Sequence, residues 1–471
     1  MGAKRATVLG PGGVEGTRRA LAAILGGDAV LGGDSAGYLG DETEGRGLHG
    51  RADAVALPAT TEQVAEVVGW CYDHDVAIVP RGGGTGFAGG AVPVEGGVVV
   101  SLERMSGVLD FDPGLWRMQV EAGVRTATVR RVARENGLMF PPDPGAAEQS
   151  HIGGNIATNA GGPHTFKYGV TGAWVTGLEA VVPPGEVVRV GGPIRKDVAG
   201  YDLRGLMVGS EGTLGIVTSA WLRLLPAPAA TLPVVAFLPD IPRGTEAIAR
   251  VLESGSVPAA LEFADAGTLV AAGPSFPSPL PDEAAFMVLA EADGSVEEAA
   301  RVRAELIEAI EPGALAVVAP TERSEIESVW RWRDGVSVAV TALRGGKASE
   351  DIVVPVERLG EAIEQVLAIG RAHGLEACSW GHAGDGNLHA TFLLGRDDPE
   401  ELSRAARAAD ELFGLAVRLG GSISGEHGVG WVKRGELARQ WPEPALRLHE
   451  EIKRSFDPKG LLNPGKKLAR L

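Results

Sequence analysis

Cysteine is nearly absent from this chain, and its scarcity limits what the protein can be. Only two cysteines, Cys71 and Cys378, occur among 471 residues. They cannot build a disulfide framework, which suits a reducing compartment, and we expect a cytoplasmic protein. An iron–sulfur cluster normally takes four protein ligands, so the chain cannot hold one by itself.

Basic runs and long apolar runs are missing as well. The formal net charge is −17 and no block of lysine and arginine occurs, which argues against a nucleic-acid partner because phosphate binding needs a basic face. No stretch approaches the ~18 apolar residues of a membrane span. Lys4 and Arg5 are not followed by the apolar run of a signal peptide. Peripheral membrane contact through a partner protein stays open.

Glycine is abundant instead, and the chain is long enough for sizeable cores. The 68 glycines predict many turns and close backbone approaches. The length suggests about three domains, and Pro226-Ala227-Pro228 is typical of a boundary.

Capping and periodicity predict most of the helices. Thr60 with Gln63 three residues later forms a capping box, and valines at helical spacing continue the helix to Asp73. Further helices are predicted over residues 17–25, 126–136, 296–310, 322–343, 357–372, 399–419 and 444–456. Strands are predicted over residues 76–80, 178–182, 186–190, 216–225, 376–380 and 388–394.

A glycine loop follows the strand predicted over residues 76–80. Gly84, Gly86 and Gly89 match the dinucleotide fingerprint G-x-G-x-x-G. A Rossmann turn must open a helix, and Pro93 leaves no room for one. A Walker A loop is excluded because no Gly-Lys-Ser/Thr follows. Two interpretations remain: an ordinary loop, or a loop whose exposed N–H groups cradle a phosphate without a helix.

Two more glycine-rich stretches follow. Residues 151–162 have so little side-chain bulk that we expect their backbone to lie close to something large and flat. Residues 209–215 contain a further glycine motif that leads into the strand predicted over residues 216–225.

Three of the nine histidines and a glutamate lie in two glycine-framed motifs, residues 381–389 and 421–428. Strand patterns around the first motif predict a tight turn that brings His382 and His389 towards each other. Two imidazoles and the carboxylate of Glu426, with an open fourth position, form the ligand set of a catalytic divalent metal. His427 could serve as a base. The alternative is that these are loop histidines in glycine turns.

In order and spacing, these motifs resemble the FAD-linked D-2-hydroxy acid dehydrogenases over nearly the whole chain. That family includes the glycolate oxidase FAD subunit, cytochrome-linked D-lactate dehydrogenases and D-2-hydroxyglutarate dehydrogenase. Residues 80–86, 153–162 and 209–215 are similar to the FAD-binding fold of the vanillyl-alcohol oxidase / p-cresol methylhydroxylase superfamily.

The resemblance implies an α+β fold with three parts. Residues 1–227 would form a two-subdomain p-cresol methylhydroxylase-type FAD-binding domain, split near residue 105. Residues 228–420 would form a cap domain with an antiparallel sheet and helices. Residues 421–471 would return to the FAD-binding domain.

The resemblance also implies which residues hold FAD. Glycine-loop N–H groups would bind the pyrophosphate, the second stretch would line the flavin ring, and Glu211 and Ile216 would follow the adenine and ribose. Asn463 would approach the edge of the flavin. The implied cofactor-binding residues are Arg81, Gly82, Gly83, Gly84, Thr85, Gly86, Asp143, Gly153, Gly154, Asn155, Thr158, Gly161, Gly162, Glu211, Gly212, Ile216 and Asn463.

The cap domain would hold a divalent metal and the substrate. Zn²⁺ is preferred because it is redox-inert, although ligand type alone also allows manganese or iron. One departure weakens the case for a second substrate carboxylate: Ala390-Thr391 stands where 2-hydroxyglutarate members carry an asparagine. The implied residues are the metal ligands His382, His389 and Glu426, the base His427, and the substrate-carboxylate binders Arg333 and Lys347.

The implied reaction is oxidation of a small D-2-hydroxy acid, D-lactate or glycolate first, to the 2-oxo acid. His427 would take the hydroxyl proton with the help of the metal, and the flavin would accept a hydride. Alternatives are a D-2-hydroxyglutarate dehydrogenase, an ether-lipid-synthase-like transferase, a metal hydrolase, or a non-catalytic subunit of a redox complex. Electrons would pass to a quinone, an electron-transfer flavoprotein, an iron–sulfur subunit or oxygen. A homodimer stays open.

Overall fold

The computed structural model describes residues 13–43, 47–395 and 398–468. The helices of this part of the chain are α1 Gly13–Leu25, α2 Thr61–Asp73, α3 Thr126–Glu135, α4 Ile152–Thr158, α5 Thr165–Tyr168, α6 Leu203–Met207, α7 Ile241–Glu253, α8 Ala266–Ala272, α9 Val296–Ile310, α10 Arg323–Arg344, α11 Leu359–Ala372, α12 Pro399–Arg418, α13 Leu437–Gln440 and α14 Glu443–Phe456.

The strands are β1 Val30–Gly32, β2 Ala54–Ala56, β3 Ile78–Arg81, β4 Val98–Ser101, β5 Val108–Asp112, β6 Arg117–Glu121, β7 Leu138–Met139, β8 Val175–Val182, β9 Glu186–Gly191, β10 Ile216–Arg223, β11 Leu225–Pro226, β12 Ala230–Leu238, β13 Ala260–Asp265, β14 Phe286–Gly294, β15 Ala316–Val318, β16 Gly345–Val353, β17 Ala377–His382 and β18 Asn387–Gly395.

The chain divides into two compact units. The first contains residues 1–160, 170–227 and 426–471, and the second contains residues 161–169 and 228–425. A short segment, residues 161–169, therefore leaves the first unit and packs with the second. The mixture of helices and mainly antiparallel sheets confirms the predicted α+β class.

The first unit opens with a four-stranded sheet in the order β1-β2-β4-β3. Strands β2, β4 and β3 are parallel, while β1 is antiparallel to β2. Strand β4 is buried at every residue, as expected of a valine run covered on both faces. The apolar side of α2, including Cys71, packs into the core of this sheet.

A second, antiparallel sheet of the first unit has the order β5-β6-β10-β8-β9. Its central strand β10 ends with Arg223 opposite Arg117, the first residue of β6. Leu222 lies opposite Val175, the first residue of β8. The end of β10 and the starts of β6 and β8 therefore share one end of the sheet. The glycine motif at residues 209–215 leads into the opposite end.

The second unit is organised around a seven-stranded antiparallel sheet in the order β15-β12-β14-β13-β17-β18-β16. Strands β17 and β18 form a hairpin that is flanked by β13 and β16. Because β13 is buried throughout and β18 nearly so, this part of the sheet is a rigid support for the histidine motif in the hairpin.

The structure agrees with most of the predicted elements. The Thr60 hydroxyl accepts a hydrogen bond from the Gln63 N–H at 3.3 Å, and Gln63 Oε1 accepts one from the Ala59 N–H at 2.7 Å, which confirms the capping interaction. No helix occurs between β3 and β4, where every residue is described, so rejecting a Rossmann turn was correct. One difference is α4, which forms within the second glycine-rich stretch despite two glycines.

No helix in the described part of the chain combines the length and apolar character needed to cross a bilayer.

Candidate active site

The first two glycine motifs lie directly against each other in the first unit. A Cβ atom added to Gly82 would lie 3.3 Å from the Cα of Gly154, and one added to Gly83 would overlap the carbonyl oxygen of Gln149. Real Cβ atoms do not pack as closely as the one at Gly83 would, so glycine is required there, and the contact at Gly82 is tight. The fold thus brings the glycine loop and the start of α4 backbone to backbone.

The Arg81 side chain packs against the glycine loop. Its Nη1 donates to the Gly40 carbonyl at 2.7 Å and its Nη2 to the Gly37 carbonyl at 2.9 Å. Gly84 has a φ of +72°, and a Cβ atom there would overlap the Arg81 guanidinium. Arg81 therefore links residues 37–40 to the glycine loop. Its contribution to cofactor binding would be to stabilise the conformation of the loop.

Helix α4 is held by close packing and by its own polar side chains. A Cβ atom on Gly153 would lie 2.7 Å from the Cβ of Ala122. The buried Asn155 amide donates to the Thr126 hydroxyl at 2.6 Å, and the Thr158 hydroxyl donates to the Gly154 carbonyl at 3.1 Å. The side chains of Asn155 and Thr158, both predicted to line the flavin, thus hold α4 in place through hydrogen bonds within the protein.

Glu211 lies at a sharp turn that joins distant parts of the first unit. Its φ is +54°, and its carboxylate accepts hydrogen bonds from the N–H groups of Val429 at 2.9 Å and Gly430 at 2.6 Å. The Asn463 amide donates to the Glu211 carbonyl at 2.8 Å. Through these contacts the C-terminal segment packs against residue 211 within the first unit, and the Glu211 carboxylate has a structural role.

The other predicted cofactor residues lie at several places. Gly212, at a φ of +68°, approaches Pro80 and a Cβ atom there would lie 3.1 Å from the proline ring. Ile216 is buried at the start of β10, Asp143 is buried, and Thr85 and Gly86 are half-buried. Gly161 and Gly162 belong to the segment of the second unit, where the Gly162 N–H donates to the Thr165 hydroxyl at 3.0 Å. The roles of these residues stay predictions.

The glycine cradle fits a phosphate-containing cofactor. Residues 82–86 are half-buried, and four of the five are glycines with no side chain of their own to cover the backbone N–H groups. Successive exposed N–H groups bind anions without needing a helix N-terminus. The donor chemistry therefore matches the pyrophosphate of FAD.

The β17–β18 hairpin of the second unit carries the histidine motif. His382 is the last residue of β17 and His389 is the third residue of β18. Their ring centroids are 5.6 Å apart, with the planes at 81°. The predicted turn therefore brings the two imidazoles together. Gly386, at a φ of +67°, closes the turn against the Val354 carbonyl.

Glu262 was not predicted, and it contacts one of these histidines. It is fully buried on β13, and its Oε1 lies 2.6 Å from Nδ1 of His382. Its Oε2 accepts a hydrogen bond from Nε of Arg333 at 2.6 Å. Burial by itself would raise the pKa of Glu262, but the charges of Arg333 and His382 outweigh burial and lower it. No motif surrounds Glu262, and the only signal in the sequence is an acidic residue within an apolar strand.

The two predicted substrate-carboxylate binders both have protein partners. Arg333 forms an ion pair with Glu262. Lys347 donates to the Ser337 carbonyl at 2.8 Å and lies 5.4 Å from the centre of the Trp380 ring. Burial lowers the pKa of Lys347 to about 8. Arg333 is therefore linked to the histidine hairpin through Glu262, whereas Lys347 contacts Trp380 of the hairpin directly.

Glu426 is positioned by the residue before it, Gly425. The Gly425 N–H donates to Oδ2 of Asp351 at 2.8 Å, and Asp351 is the cross-strand partner of His389. A Cβ atom on Gly425 would overlap the side-chain amide of Asn387. Glu426 follows directly, and one ligand atom from each of His382, His389 and Glu426 lies within 4.8 Å of the others.

His427 comes next in the chain and belongs to the first unit. Its Nε2 lies 3.7 Å from Oε1 of Glu426, and its ring centroid is 4.7 Å from that of Phe87. Phe87 is part of the glycine loop. His427 thus packs on the loop that is predicted to bind the cofactor.

The segment at residues 161–169 packs beneath the histidine turn. The Phe166 ring lies flat against Gly384, where a Cβ atom would be 2.5 Å from a ring carbon. His164 Nε2 lies 2.9 Å from Oε1 of Glu291, and Tyr168 hydrogen-bonds to Asp293. The segment therefore anchors the turn between His382 and His389.

Comparison with known proteins matches both halves of the chain to FAD enzymes. A family described as "FAD binding domain" covers residues 52–191, and "FAD linked oxidases, C-terminal domain" covers residues 227–467. The fold and the glycine cradle define an FAD-binding flavoprotein of the p-cresol methylhydroxylase type. Within that class, the chain belongs to the FAD-linked oxidases and is an FAD-linked oxidoreductase.

Three relatives illustrate the family. Glycolate oxidase subunit GlcD of Bacillus subtilis (strain 168) is 38% identical over 89% of each chain. D-lactate dehydrogenase of Anaerostipes hadrus is 33% identical over 88% of this chain and 89% of its own. D-2-hydroxyglutarate dehydrogenase of Stutzerimonas stutzeri (strain A1501) is 33% identical over 88% of this chain and 90% of its own.

Solved structures support the fold. A p-cresol methylhydroxylase with substrate bound matches with a TM-score of 0.80 at 20% identity, covering 97% of this chain and 96% of that one. An alkyldihydroxyacetonephosphate synthase matches with a TM-score of 0.75 at 18% identity, covering 98% and 87%. The predicted FAD-binding fold is therefore confirmed.

Proposed function

We propose that this FAD-linked oxidoreductase oxidises a D-2-hydroxy acid, with D-lactate and glycolate as the first candidates, to the corresponding 2-oxo acid. The observation that carries this proposal is the group formed by His382, His389 and Glu426, whose ligand atoms lie within 4.8 Å of one another. The names of the relatives support the same substrate class.

The donor set fits a divalent metal. Two imidazoles and one carboxylate leave a position open for substrate, as in catalytic zinc sites. Glu262 accepts from Nδ1 of His382, so the Nε2 lone pair of that ring is available as a ligand. We assign Zn²⁺ as the preferred ion because it is redox-inert. When bound, the ion would lower the pKa of a substrate hydroxyl.

His427 is assigned as the base. Its ring packs on Phe87 and its Nε2 lies 3.7 Å from Oε1 of Glu426, so the imidazole is next to one of the proposed metal ligands. A positioned base contributes roughly 10²–10⁴-fold. FAD, when bound, supplies the hydride acceptor. His427 therefore holds the hydroxyl proton at an imidazole nitrogen, and the two electrons leave the substrate carbon with its hydrogen.

Arg333 and Lys347 are assigned to the substrate carboxylate. The hydrogen bond to Glu262 fixes the orientation of the Arg333 guanidinium. The planar shape of that group suits carboxylate recognition. Lys347 is held against Trp380 within a buried environment that lowers its pKa to about 8. A substrate anion would favour the charged form of this lysine.

D-2-hydroxyglutarate is the second candidate, favoured by the name of one relative at 33% identity. The strand after the second histidine offers little to a second carboxylate. Ala390 is fully buried and apolar, and the Thr391 hydroxyl lies 2.8 Å from that of Ser349. We therefore rank this substrate below the monocarboxylates.

Anaerobic mixing of the FAD-loaded protein with separate 2-hydroxy acids tests the proposal. D-lactate or glycolate should bleach the flavin absorbance, L-lactate should not, and an artificial dye should accept the electrons. If no D-2-hydroxy acid reduced the flavin, the proposal would be overturned. Reduction by D-2-hydroxyglutarate alone would select the second candidate.

A further inference from the structure

The five-stranded sheet of the first unit has a loop-bearing end that the proposed chemistry does not use. The register places the β5–β6 turn, the end of β10 and the segment after β9 together, because Arg223 lies opposite Arg117 and Gly177 lies opposite Gly191. We call residues 113–117, 192–204 and 223 the sheet-end surface.

Large apolar side chains project from this surface. Val198 is 97% exposed and Tyr201 is 94% exposed, so both extend from the protein with almost no contacts. Leu115, Trp116 and Ile194 are also exposed on this surface. Single exposed apolar residues are normal on proteins, but a cluster on neighbouring loops indicates an interaction site.

Cationic groups lie over two tryptophans at this end of the sheet, the exposed Trp116 and the buried Trp174. The Arg195 guanidinium lies 5.3 Å from the centre of the Trp116 ring, and that of Arg223 lies 4.4 Å from the centre of the Trp174 ring. Burial, and after it the nearby charges of Arg195 and Arg204, lower the pKa of Arg223. Three guanidinium groups therefore lie close enough to repel one another.

The acidic groups in and next to the surface accept hydrogen bonds from nearby backbone N–H groups. Asp112 Oδ1 accepts from the Leu115 N–H at 3.0 Å, and Asp197 Oδ1 from the Ala199 N–H at 3.0 Å. Asp202 caps α6 through the Gly205 N–H at 2.8 Å. The surface is nevertheless basic on a chain whose net charge is −17, because Arg117, Arg195, Lys196, Arg204 and Arg223 outnumber its two acidic residues, Asp197 and Asp202.

We propose that the sheet-end surface docks directly onto an anionic lipid bilayer. Projecting tips can enter the headgroup region, whereas an acidic protein partner would need a matching concave face. Tryptophan and tyrosine favour the membrane interface, and arginine is attracted to anionic headgroups. Because the rest of the chain is acidic, these basic loops set the orientation of the protein on the bilayer.

The end of β10 that bears this surface is the far end from the junction of that strand with the glycine motif of residues 209–215. Strand β10 has eight residues, with the glycine motif of residues 209–215 before its first and Arg223 as its last. At about 3.3 Å per residue the two ends of the strand are roughly 25 Å apart. Substitutions at the surface should therefore leave FAD content unchanged.

The test is co-sedimentation of the full-length, FAD-loaded protein with vesicles of phosphatidylcholine alone or with one third phosphatidylglycerol. The wild-type protein should partition into the anionic vesicles about tenfold more strongly, and high salt should abolish the difference. Val198→Asp with Tyr201→Asp, and separately Arg195→Glu, should each reduce partitioning about tenfold or more. Val257→Asp with Val296→Asp adds the same two negative charges at exposed valines of the second unit and should bind like wild type.

Flavin absorbance of every variant shows that it is folded. Equal partitioning into both vesicle types, or unchanged partitioning of the surface variants, would overturn the proposal. If the wild-type protein sediments with neither vesicle type, the bilayer is rejected as the occupant and an acidic partner protein takes its place.

Discussion

Nδ1 of His382 lies 2.6 Å from Oε1 of Glu262, a fully buried carboxylate whose other oxygen accepts a hydrogen bond from Arg333. This arrangement fixes the ring orientation of His382 and leaves Nε2 as the nitrogen that can ligate a metal. It also connects the proposed metal group with the proposed substrate-binding arginine through a single carboxylate.

Glu262→Gln should weaken metal binding by about 10–100-fold, because the neutral amide no longer attracts the His382 N–H and Arg333 as strongly. Metal content after dialysis against a competing chelator measures the effect. Glu401→Gln is the matched control, since Glu401 is also buried and pairs with Arg344 at 2.9 Å. Retention of metal by Glu262→Gln would refute the positioning role.

His427→Asn should keep FAD and metal but lose about 10²–10⁴-fold in the rate of flavin reduction at saturating substrate, because a base acts on the transition state. Glu426→Gln should instead lower metal occupancy and weaken substrate binding together. Anaerobic stopped-flow reduction and metal analysis of the same samples distinguish the two. If His427→Asn loses the metal and Glu426→Gln keeps it, the assignments are exchanged.

Gly384→Ala should disturb the histidine turn, because the new methyl group would lie 2.5 Å from the Phe166 ring. We expect a loss of about 1–3 kcal/mol in unfolding free energy, measured by denaturant titration, with weaker metal binding. Adding Phe166→Leu should restore part of both losses. Gly335→Ala, on α10 with no atom within 4 Å of the new methyl group, should be neutral or slightly stabilising. Independent, additive effects of the two substitutions would disprove the contact.

Lys466 predicts a pH dependence of stability. Its Nζ is buried against Asn463 at 2.7 Å, and burial lowers its pKa to about 7 despite nearby carboxylates. The unfolded chain holds the proton up to about pH 10.4, so unfolding takes up a proton between about pH 7 and pH 10.4 and stability rises with pH across that window. Below pH 7 the full cost of the buried charge is present.

Lys466→Met should remove this component. The difference in unfolding free energy between wild type and variant should change by roughly 4 kcal/mol from pH 7 to pH 10.4, in favour of the wild type at high pH. Denaturant titrations across that range measure it. A difference that stays constant with pH would show that Lys466 does not lose its proton on folding.

Short sequence patterns were sufficient to predict features whose interacting residues lie close together in the chain. The capping of α2 by Thr60 and the turn that joins His382 to His389 both depend on residues close in sequence. The glycine loop was recognisable as something other than a Rossmann turn because Pro93 follows within the same short stretch. The protein partners of Arg333 and Lys347 were not predicted, because a long side chain can reach several neighbours.

The amino-acid sequence by itself determined the order of the glycine motifs, the convergence of two histidines in one hairpin and the family to which the chain belongs. Only the tertiary structure decided that Glu262 orients His382 from 120 residues away, and that Phe166 packs beneath Gly384. The pairing of β13 with β17 depends on how the whole seven-stranded sheet buries its apolar surface. Local patterns carry no information about which strand becomes a neighbour, so the partner of Glu262 was revealed only in the folded protein.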